Sequence, residues 1–307
     1  MGHFYRALNL TEGLAAAGRR CTFYLNDHAP SRELLEARGI AHRTVRLDDD
    51  VSDWQAQLVE QDGIRVWVDD RLDTDARHAA RVKATGIPLA TFDNRGPGAE
   101  AADLHVAALC FDPAERLGGG QVLRGVDYLV LNSEIGRHAR LREGLRSIIV
   151  TLGGSDTYGV SLKVIRSLRE SGLGATVVVG PAFMHLRELE ALMTEGFVLK
   201  KGVASMIEEF SRHDLAITGG GITPFEANAC GLPCVVIANE IFEIPVGREL
   251  ERLGGCVFAG HYESLRSPLV RGDLLIAAMS RAGLRNVGTG GTARVVAALL
   301  ELEGRGA

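Results

Sequence analysis

The chain has 307 residues, of which 46% are hydrophobic and 24% charged, and its formal net charge is −5. This composition is typical of a soluble globular protein and excludes disorder, collagen and coiled coil as the main organisation. The length predicts about two domains, no run approaches the ~18 apolar residues of a membrane span, and the slightly acidic balance disfavours nucleic acid as a partner.

Five cysteines are scattered along the chain, at positions 21, 110, 230, 234 and 256. An odd number without close pairs argues against a disulfide framework and is typical of a reducing cytosol. Cys230 and Cys234 lie four residues apart, but zinc is not expected without a second pair of ligands. The first residues also lack the basic start and apolar core of a signal peptide. We therefore expect a cytoplasmic protein with no metal, no cofactor and no stable membrane insertion.

Short apolar runs alternate with amphipathic stretches from one end of the chain to the other. In the first half, the apolar runs predict strands at Cys21–Leu25, Val66–Val68, Leu89–Phe92 and Tyr128–Leu131. The amphipathic stretches there predict helices at Arg32–Ala37, Asp53–Gln61 and Thr74–Thr85. In the second half they predict strands at Ile148–Leu152, Ala175–Val179, Phe197–Leu199, Leu215–Thr218 and Cys234–Ile237. The helices predicted between and after these strands are Val160–Arg169, Leu186–Met193, Ser205–Ser211, Thr223–Ala229 and Thr292–Leu302.

Continuous apolar strands that alternate with helices are typical of a parallel sheet covered on both faces. Because the rhythm occurs twice, we predict an α/β protein with two doubly wound, Rossmann-like domains and a cleft between them. The expected domains are residues 1–143 and residues 144–307, the second including the terminal helix.

Two glycine-rich turns follow predicted strands, where open parallel sheets bind their ligands. They are Gly153-Gly154-Ser155-Asp156 and Gly219-Gly220-Gly221-Ile222-Thr223. Such a turn lets backbone N–H groups approach an anion, and the following helix N-terminus adds partial positive charge. Thr223 is expected to cap the second helix and to bind a phosphate oxygen. Gly154, Ser155, Gly220, Gly221, Ile222 and Thr223 are thus predicted phosphate ligands, although tight turns without a ligand remain the alternative.

The glycine-rich turns differ from the two best-known nucleotide motifs. No Gly-Lys-Ser/Thr follows either turn, and no G-x-G-x-x-G is followed by an acidic residue about twenty positions later. The pattern therefore favours binding of a nucleoside diphosphate over ATP hydrolysis or hydride transfer. Glu226 lies in the first turn of the second helix, where it either accepts hydrogen bonds from a ribose diol or complements the helix dipole.

Other polar and aromatic residues receive less specific interpretations. Asp69 and Asp70 end a predicted strand, where contact with a substrate and capping of the next helix are equally open. Neighbouring charges predict a surface position for three histidines, His42, His78 and His138, and the two tryptophans, Trp54 and Trp67, are expected to be packing groups.

A series of motifs in a fixed order covers nearly the whole chain. It comprises Gly2-His3-Phe4-Tyr5-Arg6-Ala7-Leu8, Val68-Asp69-Asp70, Phe92-Asp93-Asn94, Leu152-Gly153-Gly154-Ser155-Asp156, Val178-Val179-Gly180-Pro181, Asp214-Leu215-Ala216-Ile217, Gly220-Gly221-Ile222-Thr223-Pro224-Phe225-Glu226, Gly231-Leu232-Pro233 and Gly290-Gly291-Thr292-Ala293-Arg294-Val295. In this order they resemble the UDP-sugar hydrolases of pseudaminic acid biosynthesis and the related spore-coat polysaccharide proteins. That family is related to the two-domain GT-B glycosyltransferases, which include the UDP-GlcNAc transferase of peptidoglycan synthesis.

The resemblance implies a division of labour between the two domains. The C-terminal domain would bind UDP through Gly202, Val203 and Met206 at the uracil, Glu226 at the ribose, and the turn from Gly220 to Thr223 at the diphosphate. The N-terminal domain would bind the sugar, with the predicted contacts Gly2, Arg6, Asp69 and Asp70. His3 would be the general base that activates water, a role that suits a group titrating near neutral pH. No metal is implied, because the glycine-rich turn would stabilise the departing UDP.

The segment after the strand Cys234–Ile237 departs from the resembling family. The hydrolases have Ala-Glu-Asn-Gln there, whereas this chain has Ala238-Asn239-Glu240-Ile241, with Asn and Glu transposed. In this segment, Asn239 and Glu240 are further predicted sugar contacts. The sequence favours hydrolysis of a UDP-linked deoxy-acetamido sugar in nonulosonate or surface polysaccharide biosynthesis. A glycosyltransferase that uses a UDP-sugar donor, and a non-catalytic nucleotide-sugar-binding protein, remain the alternatives.

The start of the chain gives one further expectation. A doubly wound domain normally begins with a central strand, whereas this chain passes from Met1 almost directly into a helical pattern. We therefore hypothesise that the coding region starts upstream and that Met1 is an internal methionine. The expected result is an empty slot in the N-terminal sheet, lined by the strands around Cys21–Leu25 and Val66–Val68.

Overall fold

The computed structural model describes residues 2–49, 51–180 and 182–305. Met1 and Pro181, both named above, lie outside the described residues. The chain divides into two compact units. We call residues 3–130 together with 290–305 the N-terminal unit, and residues 131–289 the C-terminal unit. The structure thus divides the chain at points other than the predicted boundary at residue 143.

The C-terminal unit contains alternating strands and helices. In chain order they are α5 (Ile135–His138), β7 (Ile148–Thr151), α6 (Val160–Glu170), β8 (Ala175–Val179), α7 (Leu186–Leu192), β9 (Phe197–Lys201), α8 (Met206–Ser211), β10 (Leu215–Gly219), α9 (Thr223–Ala229), β11 (Cys234–Ala238), α10 (Ile244–Arg252), β12 (Cys256–His261) and α11 (Ile276–Asn286). The strands of the N-terminal unit are β1 (Thr22–Leu25), β2 (Ala41–Thr44), β3 (Trp67–Asp69), β4 (Leu89–Phe92), β5 (Leu104–Ala107) and β6 (Gln121–Arg124). Its helices are α1 (Gly2–Ala16), α2 (Ala29–Ala37), α3 (Trp54–Asp62), α4 (Ala76–Ala84) and α12 (Gly291–Arg305).

One continuous parallel sheet, in the order β12-β11-β10-β7-β8-β9, forms the centre of the C-terminal unit. Its middle strands are buried on both faces, because consecutive residues along β7, β10 and β11 are buried. This is why their sequences read as unbroken apolar runs. The order is that of a doubly wound domain, in which the first strand is central. Because all strands are parallel, the loops after β7, β10 and β11 emerge at the same edge of the sheet.

The sheet of the N-terminal unit is interrupted. β1 pairs with β2, and β3-β4-β5-β6 form a separate parallel sheet. The break therefore falls between β1 and β3, the two strands predicted to line an empty slot. The β1 residues are only half-buried, whereas most residues of β8 in the C-terminal unit are buried. The stacked rings of Tyr24 and Trp67, 5.5 Å apart, are the aromatic contact that links the two strands.

Helix α12 belongs to the N-terminal unit, although the sequence grouped it with the second domain. The Arg19 guanidinium donates a hydrogen bond to Glu303 at 2.7 Å, and Arg65 forms an ion pair with the same carboxylate at 2.6 Å. Gly13 of α1 lies so close to the Thr292 side chain that a Cβ at Gly13 would be 2.9 Å from it. Sequence order did not reveal this return of the chain to its first unit.

Several predicted elements differ from the structure. The predicted strand Tyr128–Leu131 is instead the end of a 3-10 turn, Val126–Tyr128, followed by extended chain. Strands β2, β5, β6 and β12 were not predicted. The strands β2 and β6 have exposed, mixed sequences, β5 carries a buried histidine, and β12 is a half-buried edge strand. Within the described residues, no helix has the length and apolar character needed to cross a membrane.

Candidate functional site

The turn after β10 leaves backbone donors free. Ile222 occupies the N-cap position of α9, and no side chain caps the helix. Thr223 is the first helical residue, so the prediction that it caps the helix is wrong. Within the described residues, the N–H groups of Gly221, Ile222 and Thr223 donate to no acceptor. Three adjacent free N–H groups form a site suited to phosphate oxygens.

The turn after β7 is different, because a carboxylate of the protein already fills it. Asp156 accepts hydrogen bonds from the N–H groups of Val160 and Ser161, both at 2.8 Å, and so satisfies the start of α6. Gly154 packs against Gly180, where any Cβ would clash with the Gly154 backbone. The structure thus gives the glycine-rich sequence of this turn a packing role. Phosphate binding by Gly154 and by Ser155, whose hydroxyl contacts Thr157, stays a prediction.

Glu226 lies in the first turn of α9, half-buried and close to the free N–H groups. Burial raises its pKa to about 7, and a hydrogen bond from the Asn132 backbone N–H opposes this shift in part. No described cation pairs with it. The group is therefore a carboxyl with free acceptor capacity, as binding to two ribose hydroxyls requires.

The segment after β11 places Asn239 and Glu240 beside the same turn. The Asn239 amide group lies against Gly219, where a Cβ would be 2.9 Å from its nitrogen. Among the described buried atoms, Asn239 Oδ1 and the neighbouring Thr218 Oγ1 have no hydrogen-bond partner. Glu240 accepts a hydrogen bond from the Tyr158 hydroxyl at 2.7 Å. Both atoms are therefore available for a hydrogen bond with a ligand or a water molecule.

The three predicted uracil contacts lie around the loop that follows β9 at the sheet edge. Gly202 has a φ of +74° and donates its N–H to Val179 O, and Val203 follows it. Met206 begins α8, which Ser205 caps through a hydrogen bond from the Glu208 N–H at 3.2 Å. Although β9 is distant from β10 in the sheet, α8 returns to pack against α9. The fold therefore brings Met206 back toward the helix that carries Glu226.

In the N-terminal unit, His3, Arg6 and Asp70 form a hydrogen-bonded group. His3 Nδ1 lies 2.7 Å from Asp70 Oδ1, and Arg6 Nε donates to Asp70 Oδ2 at 2.9 Å. His3 Nδ1 is farther, 3.2 Å, from Arg6. We therefore assign the Nδ1 proton to the bond with Asp70, which leaves the Nε2 lone pair free. Gly2, beside His3 at the start of α1, has open space around its Cα.

Arg6 and Asp70 form a rigid buried support for His3. Arg6 is 5% exposed and also pairs with Asp93. Burial alone would raise the pKa of Asp70, but the charge and hydrogen bonds of Arg6, with a smaller effect of His3, hold that pKa below its ordinary value. Asp70 is therefore ionised at neutral pH and can stabilise a protonated His3. His3 itself is 45% exposed and accessible to a substrate.

Asp93 belongs to the motif Phe92-Asp93-Asn94, but the sequence indicated no function for it. It has a φ of +44°, rare for a residue with a side chain, and its Oδ1 accepts the Leu109 N–H at 2.7 Å. Because its other oxygen holds Arg6, Asp93 fixes the residue that in turn fixes Asp70. Its position directly after β4, at the ligand-binding edge of the sheet, was the available signal.

Asp69 faces away from His3, as expected for a neighbour of Asp70 in a strand. Its carboxylate accepts the Thr74 hydroxyl at 3.0 Å and lies 3.3 Å from His78 Nε2. His78 is buried, so the prediction of a surface position is wrong; Gln55 and the ring of Trp54 also contact it. Asp69 thus serves a buried structural cluster, and its predicted sugar contact has no support from this geometry.

The fold is an α/β fold of GT-B type, similar to known glycosyltransferases over the full chain. MurG of Acinetobacter baumannii superimposes with a TM-score of 0.68 at 13% identity, covering 98% of this chain and 96% of MurG. The spinosyn forosaminyltransferase SpnP gives a TM-score of 0.68 at 12% identity, covering 99% of this chain and 96% of SpnP. VinC, a glycosyltransferase solved in complex with dTDP, gives 0.62 at 13% identity, covering 99% and 97%.

Sequence comparison finds distant relatives, and no protein-family model matches the chain. The spore coat polysaccharide biosynthesis protein SpsG of Bacillus subtilis is 26% identical over 305 residues, or 92% of this chain and 84% of SpsG. The uncharacterized protein MJ1062 of Methanocaldococcus jannaschii is 26% identical over 266 residues, or 78% of this chain. This alignment spans 54% of MJ1062, about half the length of that relative.

Proposed function

We propose that the protein hydrolyses a UDP-linked sugar to UDP and free sugar, with His3 as the general base. The observation that carries the proposal is the hydrogen bond from His3 to Asp70, with Arg6 and Asp93 behind it. A histidine with one nitrogen bonded to a carboxylate and the other free is the arrangement that general-base catalysis uses.

In this mechanism His3 Nε2 takes a proton from water as the water attacks the anomeric carbon. The Asp70 carboxylate stabilises the imidazolium that forms. The bond from the anomeric carbon to the diphosphate oxygen breaks, and the growing charge on UDP is stabilised by the N–H groups of Gly221, Ile222 and Thr223. Glu226 binds the ribose hydroxyls. The proposal thus assigns UDP to the C-terminal unit and activation of water to the N-terminal unit.

The proposed sugar class is a deoxy-acetamido sugar. The buried Asn239 Oδ1 has no donor among the described residues and suits the N–H of an acetamido group. The distant similarity to SpsG, a spore coat polysaccharide biosynthesis protein, supports a place in the synthesis of a cell-surface polysaccharide. The proposal of a nonulosonate rests on the motif resemblance alone.

The second candidate is a glycosyltransferase. A sugar hydroxyl can replace water at the same base, and the likeness to MurG and SpnP over nearly the whole chain favours this alternative. The third candidate is a nucleotide-sugar-binding protein without catalysis. It would keep the free N–H groups after β10 but would not use His3.

Release of UDP from a panel of UDP-sugars, measured with and without sugar acceptors, tests the proposal. We expect release without an acceptor. Release only with an acceptor would indicate a transferase, and binding without release would indicate the non-catalytic alternative. The His3→Asn variant should lose this release, and its control is His42→Asn, because His42 lies on β2 and contacts the Ile40 carbonyl and, at 3.8 Å, the Glu36 carboxylate.

A further inference from the structure

The carboxylate of Glu243 lies against the turn that follows β10. Its Oε2 accepts hydrogen bonds from the N–H groups of Asn239 at 2.7 Å and Glu240 at 3.4 Å. The Gly220 N–H also stabilises its ionised form. A Cβ on Gly220 would lie 2.7 Å from the Cβ of Glu243 and 3.2 Å from Oε2, so only glycine fits. Glu243 therefore ties the turn after β10 to the segment after β11.

No described cation neutralises this half-buried carboxylate. The charged group that faces it is Glu240, which has the same sign and is itself bonded to the Tyr158 hydroxyl. Burial raises the pKa of Glu243, and Glu240 adds to this increase, whereas the three backbone N–H groups lower it in part. A further negative charge beside Glu243 is therefore unfavourable.

We propose that Glu243 is a positioning residue that holds the turn after β10 in shape and, through its charge, weakens binding of free UDP more than binding of the intact UDP-sugar. The inference rests on the proposed function, which assigns the diphosphate to Gly221, Ile222 and Thr223. These residues directly follow Gly220, so the diphosphate would lie close to the Glu243 carboxylate.

The difference between substrate and product follows from their charges. A UDP-sugar carries two negative charges on its diphosphate. Cleavage creates a terminal phosphate whose second ionisation lies near pH 6, so UDP carries close to three negative charges at neutral pH. Repulsion between like charges therefore acts more strongly on the product. Glu243 would promote release of UDP after each reaction cycle.

The variant Glu243→Gln tests the charge while it keeps an oxygen acceptor for the backbone N–H groups. At about pH 8 we expect it to bind UDP about tenfold more tightly than the wild type, by calorimetry. Binding of UDP-N-acetylglucosamine, used as a diphosphate-diester probe, should change by about threefold or less. The control is Glu249→Gln in α10, which removes a carboxylate from a surface ion pair with Arg252 and should change neither affinity.

A second measurement uses the uptake of protons on UDP binding, obtained from calorimetry in buffers of different ionisation enthalpy. UDP itself loses protons when it binds N–H donors, so a net uptake comes from the protein. At about pH 7 the wild type should take up more protons than Glu243→Gln. The difference between the two proteins reports the coupling of Glu243 with UDP, because a charged Glu243 takes up a proton beside UDP and also makes the UDP phosphate lose fewer protons. Both effects have the same sign, and Glu226 contributes to both proteins.

Equal UDP affinities for the wild type and a folded Glu243→Gln variant would overturn the inference and leave the proposed function standing. Absence of UDP binding by the wild type would refute the proposed function, and the inference with it. If Glu243→Gln does not fold, Glu226→Gln replaces it. Net proton uptake that persists in Glu226→Gln supports titration of Glu243, and its loss contradicts the inference.

Discussion

At the residue scale, His3 is the side chain on which the proposed chemistry depends. Removal of a general base typically lowers the rate by about 10²–10⁴. We expect His3→Asn to lower turnover by this order while UDP affinity stays nearly constant, because the UDP contacts are assigned to the other unit. Steady-state kinetics and UDP calorimetry measure the two effects. An equal loss of UDP affinity would make His3 a binding residue, and full activity would eliminate it as the base.

Asp70 and Asp69 form a natural pair of variants, because they are neighbours with different partners. Asp70→Asn removes the charge that stabilises protonated His3, so we expect kcat to fall by about 10²–10³. Asp69→Asn disturbs the bond to Thr74 and should lower stability without this loss of kcat. An unchanged kcat in a folded Asp70→Asn variant would exclude Asp70 from the positioning of His3.

A variant of Glu226 distinguishes a role in nucleotide binding from a role in folding. If it holds the ribose, Glu226→Ala should weaken UDP binding by ~1.5–3 kcal/mol, the range for hydrogen bonds to a charged group. Folding stability without ligand should change much less when it is measured at about pH 5, where the Glu226 carboxyl is protonated in the folded protein. Unchanged affinity by titration calorimetry would return Glu226 to a role as a charge that complements the helix dipole.

The raised pKa of the Glu226 carboxyl predicts that the free energy of unfolding depends on pH. Its pKa in the folded protein is about 7, against an ordinary value of 4.5. The folded state therefore binds the proton more tightly than the unfolded state. The free energy of unfolding should fall as pH rises from about 4.5 to about 7, by at most about 3 kcal/mol from this group. Denaturation of Glu226→Gln at both pH values checks this, because the variant should lose that part of the fall.

At the element scale, one buried arginine connects two helices of the C-terminal unit. Arg142 donates hydrogen bonds to the carbonyls of Phe210 at 2.7 Å and His213 at 3.2 Å, at the end of α8, and to Cys230 at the end of α9. Burial lowers its pKa to about 10. Arg142 therefore adds a charged donor to carbonyls at the ends of both helices, where Phe210 O also accepts the His213 N–H and Cys230 O the Arg140 N–H.

We expect Arg142→Met to destabilise the C-terminal unit by roughly 3–5 kcal/mol, because several buried carbonyls lose a charged donor. Arg140→Met is the control, since Arg140 binds neighbouring carbonyls from a more exposed position. Urea denaturation of both variants gives the comparison. Equal, small effects would mean that α8 and α9 are held by apolar packing alone.

The C-terminal elements were largely predictable from sequence, because strands such as β7, β10 and β11 are buried on both faces. Their continuous apolar runs leave little ambiguity. The turns at the edge of the site were harder to predict from the sequence. The N–H groups after β10 are free, whereas those after β7 donate to a carboxylate, although both turns are equally glycine-rich. Only the position of the Asp156 carboxylate distinguishes them, and that depends on a left-handed backbone at Asp156. Likewise, the link from Asp93 to Arg6 spans 87 positions and has no local signal.

At the scale of the whole molecule, the N-terminal unit is assembled from two separate pieces of chain. Helix α12 buries Val295, Val296, Leu299 and Leu302, and Glu303 pairs with two arginines of that unit. Burial of such side chains contributes ~1.5–3 kcal/mol each, so the helix supplies ~6–12 kcal/mol out of a typical ~5–15 kcal/mol for a domain.

We therefore expect removal of residues 290–305 to unfold the N-terminal unit while the C-terminal unit still folds and binds UDP. Calorimetry should show that one of two unfolding transitions is lost. The control Arg19→Ala removes a surface ion pair and should cost about 1 kcal/mol or less. Retention of both transitions in the truncated chain would show that α12 contributes little to the stability of the unit.

The return of α12 to the first unit also determines when that unit can fold during synthesis on the ribosome. Residues 3–130 leave the exit tunnel before the C-terminal unit, yet the helix that covers them is translated only after that entire unit. At ~5–20 residues per second, the nascent N-terminal segment waits for on the order of ten to thirty seconds with an uncovered apolar surface. The C-terminal unit, which is contiguous in sequence, can complete its sheet during that interval. The segment that precedes the C-terminal unit in the chain thus reaches its final state after it, and during this delay residues 3–130 are exposed to chaperones, proteases and aggregation.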